Sequence, residues 1–158
     1  MKNLLILIPF LWLSNVGSAQ RGMLDNAIGL RFGLGSGLTF QHFYSDHNVI
    51  ELIAMQRYGG VSITGLYEAH NQAFDVRGLK WYIGGGAHAA VYGKRSVLHD
   101  GSDQENIAAF GLDGIIGIEY FMRGLPLQIS VDWKPAINLY GTRYQDWDCG
   151  AMSIRYRF

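Results

Sequence analysis

Several things are scarce in this chain, and each scarcity narrows what it can be. There is one cysteine, Cys149, among 158 residues, so no internal disulfide can form. Beyond the N-terminus the only lysines are Lys80, Lys94 and Lys134. A soluble β-protein carries many lysines on its outer face, so this shortage argues against one. Charged residues make up 16%, where about 25% is usual for a soluble domain. The formal net charge is zero, from 13 basic and 13 acidic residues, which gives no reason to expect a nucleic-acid partner. No segment reaches the length of a membrane helix. The longest apolar run, Leu4–Leu13, is roughly ten residues against the about 20 that a spanning helix needs. If the protein sits in a membrane, it must do so as a closed barrel, the other way of satisfying every backbone group in lipid.

What is present is glycine (21 residues), apolar side chains (49%) and aromatic rings (13%). Residues 1–19 read as a secretory signal. Lys2 supplies the positive end, Leu4–Leu13 the apolar core, and Gly17-Ser18-Ala19 the small residues before a cut ahead of Gln20. Residues 20–158 then form one domain.

That domain divides at turn signals into eight alternating runs. They are Ala27–Leu34, Leu38–Tyr44, Val49–Arg57, Val61–Ala69, Leu79–Val91, Ile107–Phe121, Leu125–Lys134 and Cys149–Phe158. Successive side chains of a strand point to opposite faces. The last run therefore puts Met152, Ile154, Tyr156 and Phe158 on one face, and Ser153, Arg155 and Arg157 on the other. The seventh opposes Leu127, Ile129, Val131 and Trp133 to Gln128, Ser130, Asp132 and Lys134. Ile115 is an apolar exception on the polar side of the sixth. Pro135 cannot donate to a ladder, so it predicts a bulge or the end of the membrane-level part of the seventh strand.

An even number of spans of about ten residues suits an eight-stranded antiparallel up-and-down transmembrane β-barrel. Loops 93–106 and 140–148 then fall on the outer side and short turns on the periplasmic side. Loop 71–78 is longer than that scheme wants. Tyr44, Tyr67, Trp81, Tyr120, Tyr156 and Phe158 cluster at the periplasmic rim, where rings with a polar tip suit the headgroup boundary. The competing fold is a soluble barrel or sandwich with its apolar face inward.

The polar faces carry Arg31, Glu51, Arg57, Glu68, Lys80, His88, Asp113, Glu119, Asp132, Lys134, Arg155 and Arg157. The interior of an eight-stranded barrel is just wide enough to be filled by side chains. These groups are therefore expected to form an ion-pair network in a closed lumen, since buried charge is tolerated only when paired. Asp132, one strand from Arg155 and Arg157, is expected to pair with at least one of them.

Catalytic motifs are missing. Ser45, Asp46 and His47 are consecutive in one tight turn and cannot line up as a relay, and no G-x-S-x-G occurs. His42 has no evident serine partner. His99, Asp100, Asp103 and Glu105 offer oxygen-rich metal ligands in the longest loop, but their spacing matches no calcium-loop pattern. No catalytic residue, metal or cofactor is assigned.

The stretches Gly37–Phe43, Gly65–His70, Ala73–Tyr82, Gly111–Tyr120 and Asp132–Leu139 resemble small outer-membrane β-barrel proteins of Gram-negative bacteria, of the OmpA/OmpX type. The resemblance implies fold and an outer-membrane location, and no chemistry. It also implies that Tyr156 and Phe158 form an assembly signal read by the barrel-assembly machinery, and that the partners are outer-membrane lipids, lipopolysaccharide included. A structural or surface-interaction role is expected, through a ligand or membrane partner that the sequence does not name. The alternatives are a lipid-modifying outer-membrane enzyme or an accessory subunit of a larger complex, the latter hinted at by Gly85, Ala87 and Ala89 on one strand face.

Overall fold

Strict alternation of apolar with polar or glycine residues gives each strand two unlike faces, and a sheet of such strands can hide one face by closing on itself. The computed structural model describes residues 25–57, 59–93, 106–141, 145–146 and 150–158. The strands are β1 (Asn26–Gly33), β2 (Ser36–Phe43), β3 (Asn48–Arg57), β4 (Gly60–Gln72), β5 (Leu79–Gly93), β6 (Asn106–Phe121), β7 (Leu127–Trp133), β8 (Ala136–Tyr140), β9 (Gln145–Asp146) and β10 (Gly150–Arg157). Each strand from β1 to β6 pairs antiparallel with the next. β6 pairs with β7, β7 with β10, and β10 with β1, which closes the ring.

β7 and β8 are two pieces of one stave. β7 pairs with β6 up to Ile116↔Trp133, and β8 resumes in the same register at Asp113↔Ala136. Lys134 and Pro135 stand in the gap, and the carbonyl of Pro135 still accepts the Gly114 N–H at 3.0 Å. Pro135 thus ends the regular part of the stave, because it has no N–H to give. The short β9 folds back on β8. The architecture is an eight-stave up-and-down barrel, all antiparallel.

Strand limits differ from the sequence reading most clearly at β4 and β7. β4 runs on to Gln72, so the connection to β5 is only Ala73–Gly78, shorter than the loop expected over 71–78. It is pinned by the Ala73 N–H donating to the Leu79 carbonyl at 2.9 Å, and it turns through positive φ at Phe74, Asp75 and Gly78. A Cβ on Gly78 would lie 2.8 Å from the Phe121 carbonyl oxygen, so glycine is needed there on two counts. Leu125 belongs to the β6–β7 turn and not to the wall strand. The signal at 1–19, Cys149 and the candidate ligands His99, Asp100, Asp103 and Glu105 lie outside the described residues.

Burial is inverted relative to an ordinary soluble domain. Ile28, Leu30, Leu52, Ile63, Leu112, Ile118, Val131 and Ile154 are exposed on the outer wall, while Arg31, Glu51, Glu68, Asp132 and Arg155 are buried. Aromatic side chains mark both ends of that wall. Tyr44, Tyr67, Trp81, Tyr120, Tyr156 and Phe158 are exposed toward the end that holds the termini; Phe32, Phe110, Trp133 and Tyr140 toward the other.

The barrel interior as candidate functional site

The inward faces build the interior in layers. At the end that holds the termini, Ala27, Phe43 and Val49 pack with Phe121. Arg157 lies over the rings of Phe43 and Phe121, 4.7 and 4.6 Å from their centroids, a cation–π contact with both. Lys80 projects to the same rim. Its ammonium donates to the Asp46 carbonyl at 3.1 Å and sits 5.3 Å from the Phe121 ring, so it answers a backbone oxygen and a ring rather than a carboxylate of the expected network.

The next layer is polar and fully enclosed. His70 Nδ1 lies 2.7 Å from Glu119 Oε1, and Nε2 lies 2.9 Å from Glu68 Oε2. Both nitrogens therefore face carboxylate oxygens, which a ring with two N–H donors satisfies. The imidazole stacks on Tyr82, with centroids 4.9 Å apart and planes 10° from parallel. Gln128 donates to Glu119 at 2.6 Å and to Gln41 at 2.9 Å. Arg155 donates to Ser130 at 2.7 Å, to Thr39 at 3.1 Å and to Glu51, and Thr39 in turn donates to Glu51. Pairing is what makes this layer tolerable inside the wall; an isolated buried charge would cost several kcal/mol.

Above them Arg31 grips Asp132 with both terminal nitrogens and reaches Ser153 at 3.3 Å, while the Tyr82 hydroxyl donates to Asp132 at 3.0 Å. The expected pairing of Asp132 with Arg155 or Arg157 does not occur. In the ladder Asp132 faces Ala151, and Arg155 faces Gln128. The small side chains of Ala151 and Ser153 leave a path across β10, through which Arg31 of β1 reaches Asp132 of β7. Glycines give the large side chains room. A Cβ on Gly117 would lie 2.5 Å from the Tyr82 ring and 2.6 Å from Asp132 Cβ.

An apolar patch of Ile53, Leu66, Tyr82 and Ile115, with Met55 against it, adjoins this layer. It accounts for Ile115, the apolar residue on a polar face. At the end away from the termini, Asp113 receives Lys134 on one oxygen and lies 2.6 Å from His88 Nδ1 on the other. His88 Nε2 lies 2.8 Å from Asn138 Oδ1. Here the interior opens into a cavity of about 70 Å³, lined by Arg31, Arg57, Thr64, His88, Asp113 and Lys134 among others.

The structure thus brings Glu68 and Glu119 together around His70, joins Glu51 to Arg155, Asp132 to Arg31, and Asp113 to Lys134. Arg157 lies at the rim over the Phe43 and Phe121 rings, and Lys80 at the same rim against the Asp46 carbonyl. Tyr156 and Phe158 face outward, stacked 6.5 Å apart. His70, Tyr82, Gln41 and Gln128 were not among the expected site residues. For His70 the signal was available, since it follows Glu68 by two residues and shares its face once the strand is carried past Ala69. Ser45 acts as a turn cap, its Oγ accepting the Asn48 N–H at 3.0 Å, and His42 Nδ1 lies 2.9 Å from Asn26 Oδ1.

No family model matches the chain, and no curated protein sequence does. Among solved structures, the N-terminal β-barrel domain of Pseudomonas aeruginosa OprF superposes with a TM-score of 0.62 at 16% sequence identity, covering 84% of this chain and 94% of that one. What the two share is the fold: this chain is a closed, eight-stranded antiparallel barrel, similar to that β-barrel domain.

Proposed function

We propose that the chain is a small outer-membrane β-barrel protein that spans the lipid with its outer wall, keeps a closed and charged lumen, and serves a structural or surface-interaction role. The observation that carries this reading is the inversion of burial: apolar side chains cover the outer wall while paired arginines and carboxylates fill the inside. In water such a wall would expose far more contiguous apolar surface than a soluble monomer tolerates. In lipid the same wall is the solvent-matched face, and its two aromatic bands sit at headgroup level. The likeness to the OprF barrel domain supports the same location.

On this reading the partners are outer-membrane lipids, lipopolysaccharide included, and the barrel-assembly machinery, which would read Tyr156 and Phe158 at the C-terminal strand. The signal at residues 1–19 would direct the chain out of the cytoplasm. No catalytic step is assigned: Ser45 is held as a turn cap, and the buried histidine is locked between two carboxylates.

The experiment uses tryptophan as a depth gauge. Trp81 and Trp133 are exposed on the wall, toward opposite ends. Variants that keep only one of them, reconstituted into vesicles of brominated phospholipid, should show strong fluorescence quenching from bromines near the headgroups. Quenching no greater than in unbrominated vesicles, with the protein soluble without detergent, would sink the membrane reading.

A further inference from the structure

The buried acids of the interior are not equally served. Asp132 takes Arg31 on both oxygens and the Tyr82 hydroxyl on one of them. Glu119 meets His70 through Oε1 and Gln128 through Oε2. Glu51 and Glu68 differ. Glu51 gathers its donors, Thr39 and Arg155, on Oε1 alone. Glu68 meets His70 through Oε2 alone. Glu51 Oε2 and Glu68 Oε1 are buried with no donor among the described residues, and both residues are completely enclosed. The two belong together. Glu51 pairs with Leu66 across the β3–β4 ladder, so Glu68 holds the next inward position, diagonal to Glu51. Long side chains in diagonal positions can touch, and these two carboxyls lie within hydrogen-bond reach of one another. Two bare carboxylate oxygens at that separation repel, and burial removes the water that would screen them.

We propose that Glu51 and Glu68 form a proton-binding site, in which one proton sits on Glu68 Oε1 and is donated to Glu51 Oε2. The neighbours decide which acid carries it. Glu51 faces a guanidinium and a hydroxyl, which favour its ionised form. Glu68 has only the His70 imidazole, which it shares with Glu119. Tyr82 on β5 and Arg155 on β10 also face Glu68, but the Tyr82 hydroxyl goes to Asp132, and Arg155 donates to Glu51, Ser130 and Thr39. Protonation costs Glu68 no contact, because the carbonyl oxygen of the acid still accepts from His70. One bond then satisfies both orphan oxygens and removes a like charge from a place where two adjacent carboxylates cannot both stay ionised. A metal cation at the same point would need several further oxygen ligands. The consequence is a pH dependence. The unfolded chain releases a glutamate proton near the ordinary value of about 4.3, whereas the folded pair keeps one at neutral pH. Folding therefore takes up a proton here, and this pair's contribution to stability falls as the pH rises.

The test uses the full protein folded in maltoside micelles, a surfactant with no carbonyl group of its own. In heavy water at neutral pH the infrared spectrum of the wild type should hold the carbonyl stretch of a protonated carboxyl, and Glu68→Gln should lose it. Glutamine supplies the same two contacts, an N–H to Glu51 and a carbonyl to His70. Glu68→Gln should therefore unfold in urea no more readily than the wild type. Glu119→Gln, which takes an ionised acceptor from His70 and Gln128, should raise the unfolding constant about tenfold or more. Above neutral pH the unfolding constant of the wild type, relative to that of Glu68→Gln, should rise about tenfold per pH unit while the pair holds its proton. A wild-type spectrum without the band overturns the proposal before any variant is made. So does a band that survives in Glu68→Gln, or the same pH dependence in both proteins. A Glu68→Gln chain that cannot fold also counts against it, since the shared proton makes glutamine a faithful substitute. Wild-type stability that rises with sodium at constant ionic strength, with no carboxyl band, would overturn it in favour of a bound cation.

Discussion

At the scale of single residues, the interior is held by groups that satisfy one another across the lumen rather than along a strand. Asp132 shows this best. It accepts from Arg31 on a strand that is not its neighbour and from the Tyr82 hydroxyl, and all three side chains are buried. Asp132→Ala removes the partner of a guanidinium that stays enclosed, and should destabilise the barrel by about 3–5 kcal/mol, read as a lower urea midpoint in micelles or lipid. An unchanged midpoint would mean that water carries the Arg31 charge. Gly117 belongs to the same cluster: the Tyr82 ring and Asp132 occupy the space that any side chain there would need. His70 extends the principle. It ties β4 to β6 through Glu68 and Glu119, and its ring closes the polar layer against Tyr82.

At the scale of elements, each strand works as a two-faced wall plank. On β7 the residues Gln128, Ser130 and Asp132 are buried, and Val131 between them is 59% exposed. Val131 is flanked by Ile118 on β6 and Met152 on β10, so it lies in the middle of an apolar patch that crosses three strands. Val131→Arg should cost about 2–4 kcal/mol if that patch meets the bilayer midplane, measured by reversible unfolding from lipid vesicles. A cost near zero would place the patch in water or at the membrane surface. The β7–β8 stave shows how an element tolerates a residue that its geometry rejects. Pro135 interrupts the strand, yet the two pieces keep one register against β6, because the carbonyl of Pro135 continues to accept from Gly114.

At the scale of the whole molecule, closure makes the layers into a plug. The Phe43–Arg157–Phe121 contact lies toward one end, the His70–Tyr82 stack and the arginine–carboxylate pairs fill the middle, and the cavity of about 70 Å³ lies toward the other end. An eight-stranded barrel is too narrow to hold such a filling and an aqueous channel at once. The protein should show no steady single-channel conductance in a planar bilayer, and Asp132→Ala should not create one, since the other layers remain. Stable, stepwise conductance from the wild-type protein would contradict the plug.

By itself the sequence determined the eight runs, their two faces and which charged residues turn inward. Period-two alternation is a local property, and Gly, Pro and Asn punctuate it visibly. It also foresaw the interruption at Pro135, since a missing N–H is a property of one residue. What only the tertiary structure decided is who meets whom. Asp132 looked bound for Arg155 because neighbouring strands were the only geometry that could be read from the chain; the closed ring instead brings Arg31 across β10, past Ala151 and Ser153, to take it. Lys80 and Arg157 alternate in phase with the network but stand at its rim, because their depth depends on how the strands are staggered around the ring. His70 entered the core because β4 continues for a turn-like stretch that looked like loop, and what keeps that stretch extended is its thirteen-rung pairing with β5. Ladders between strands far apart in sequence set stagger, depth and partners, and none of these is a local property of the chain.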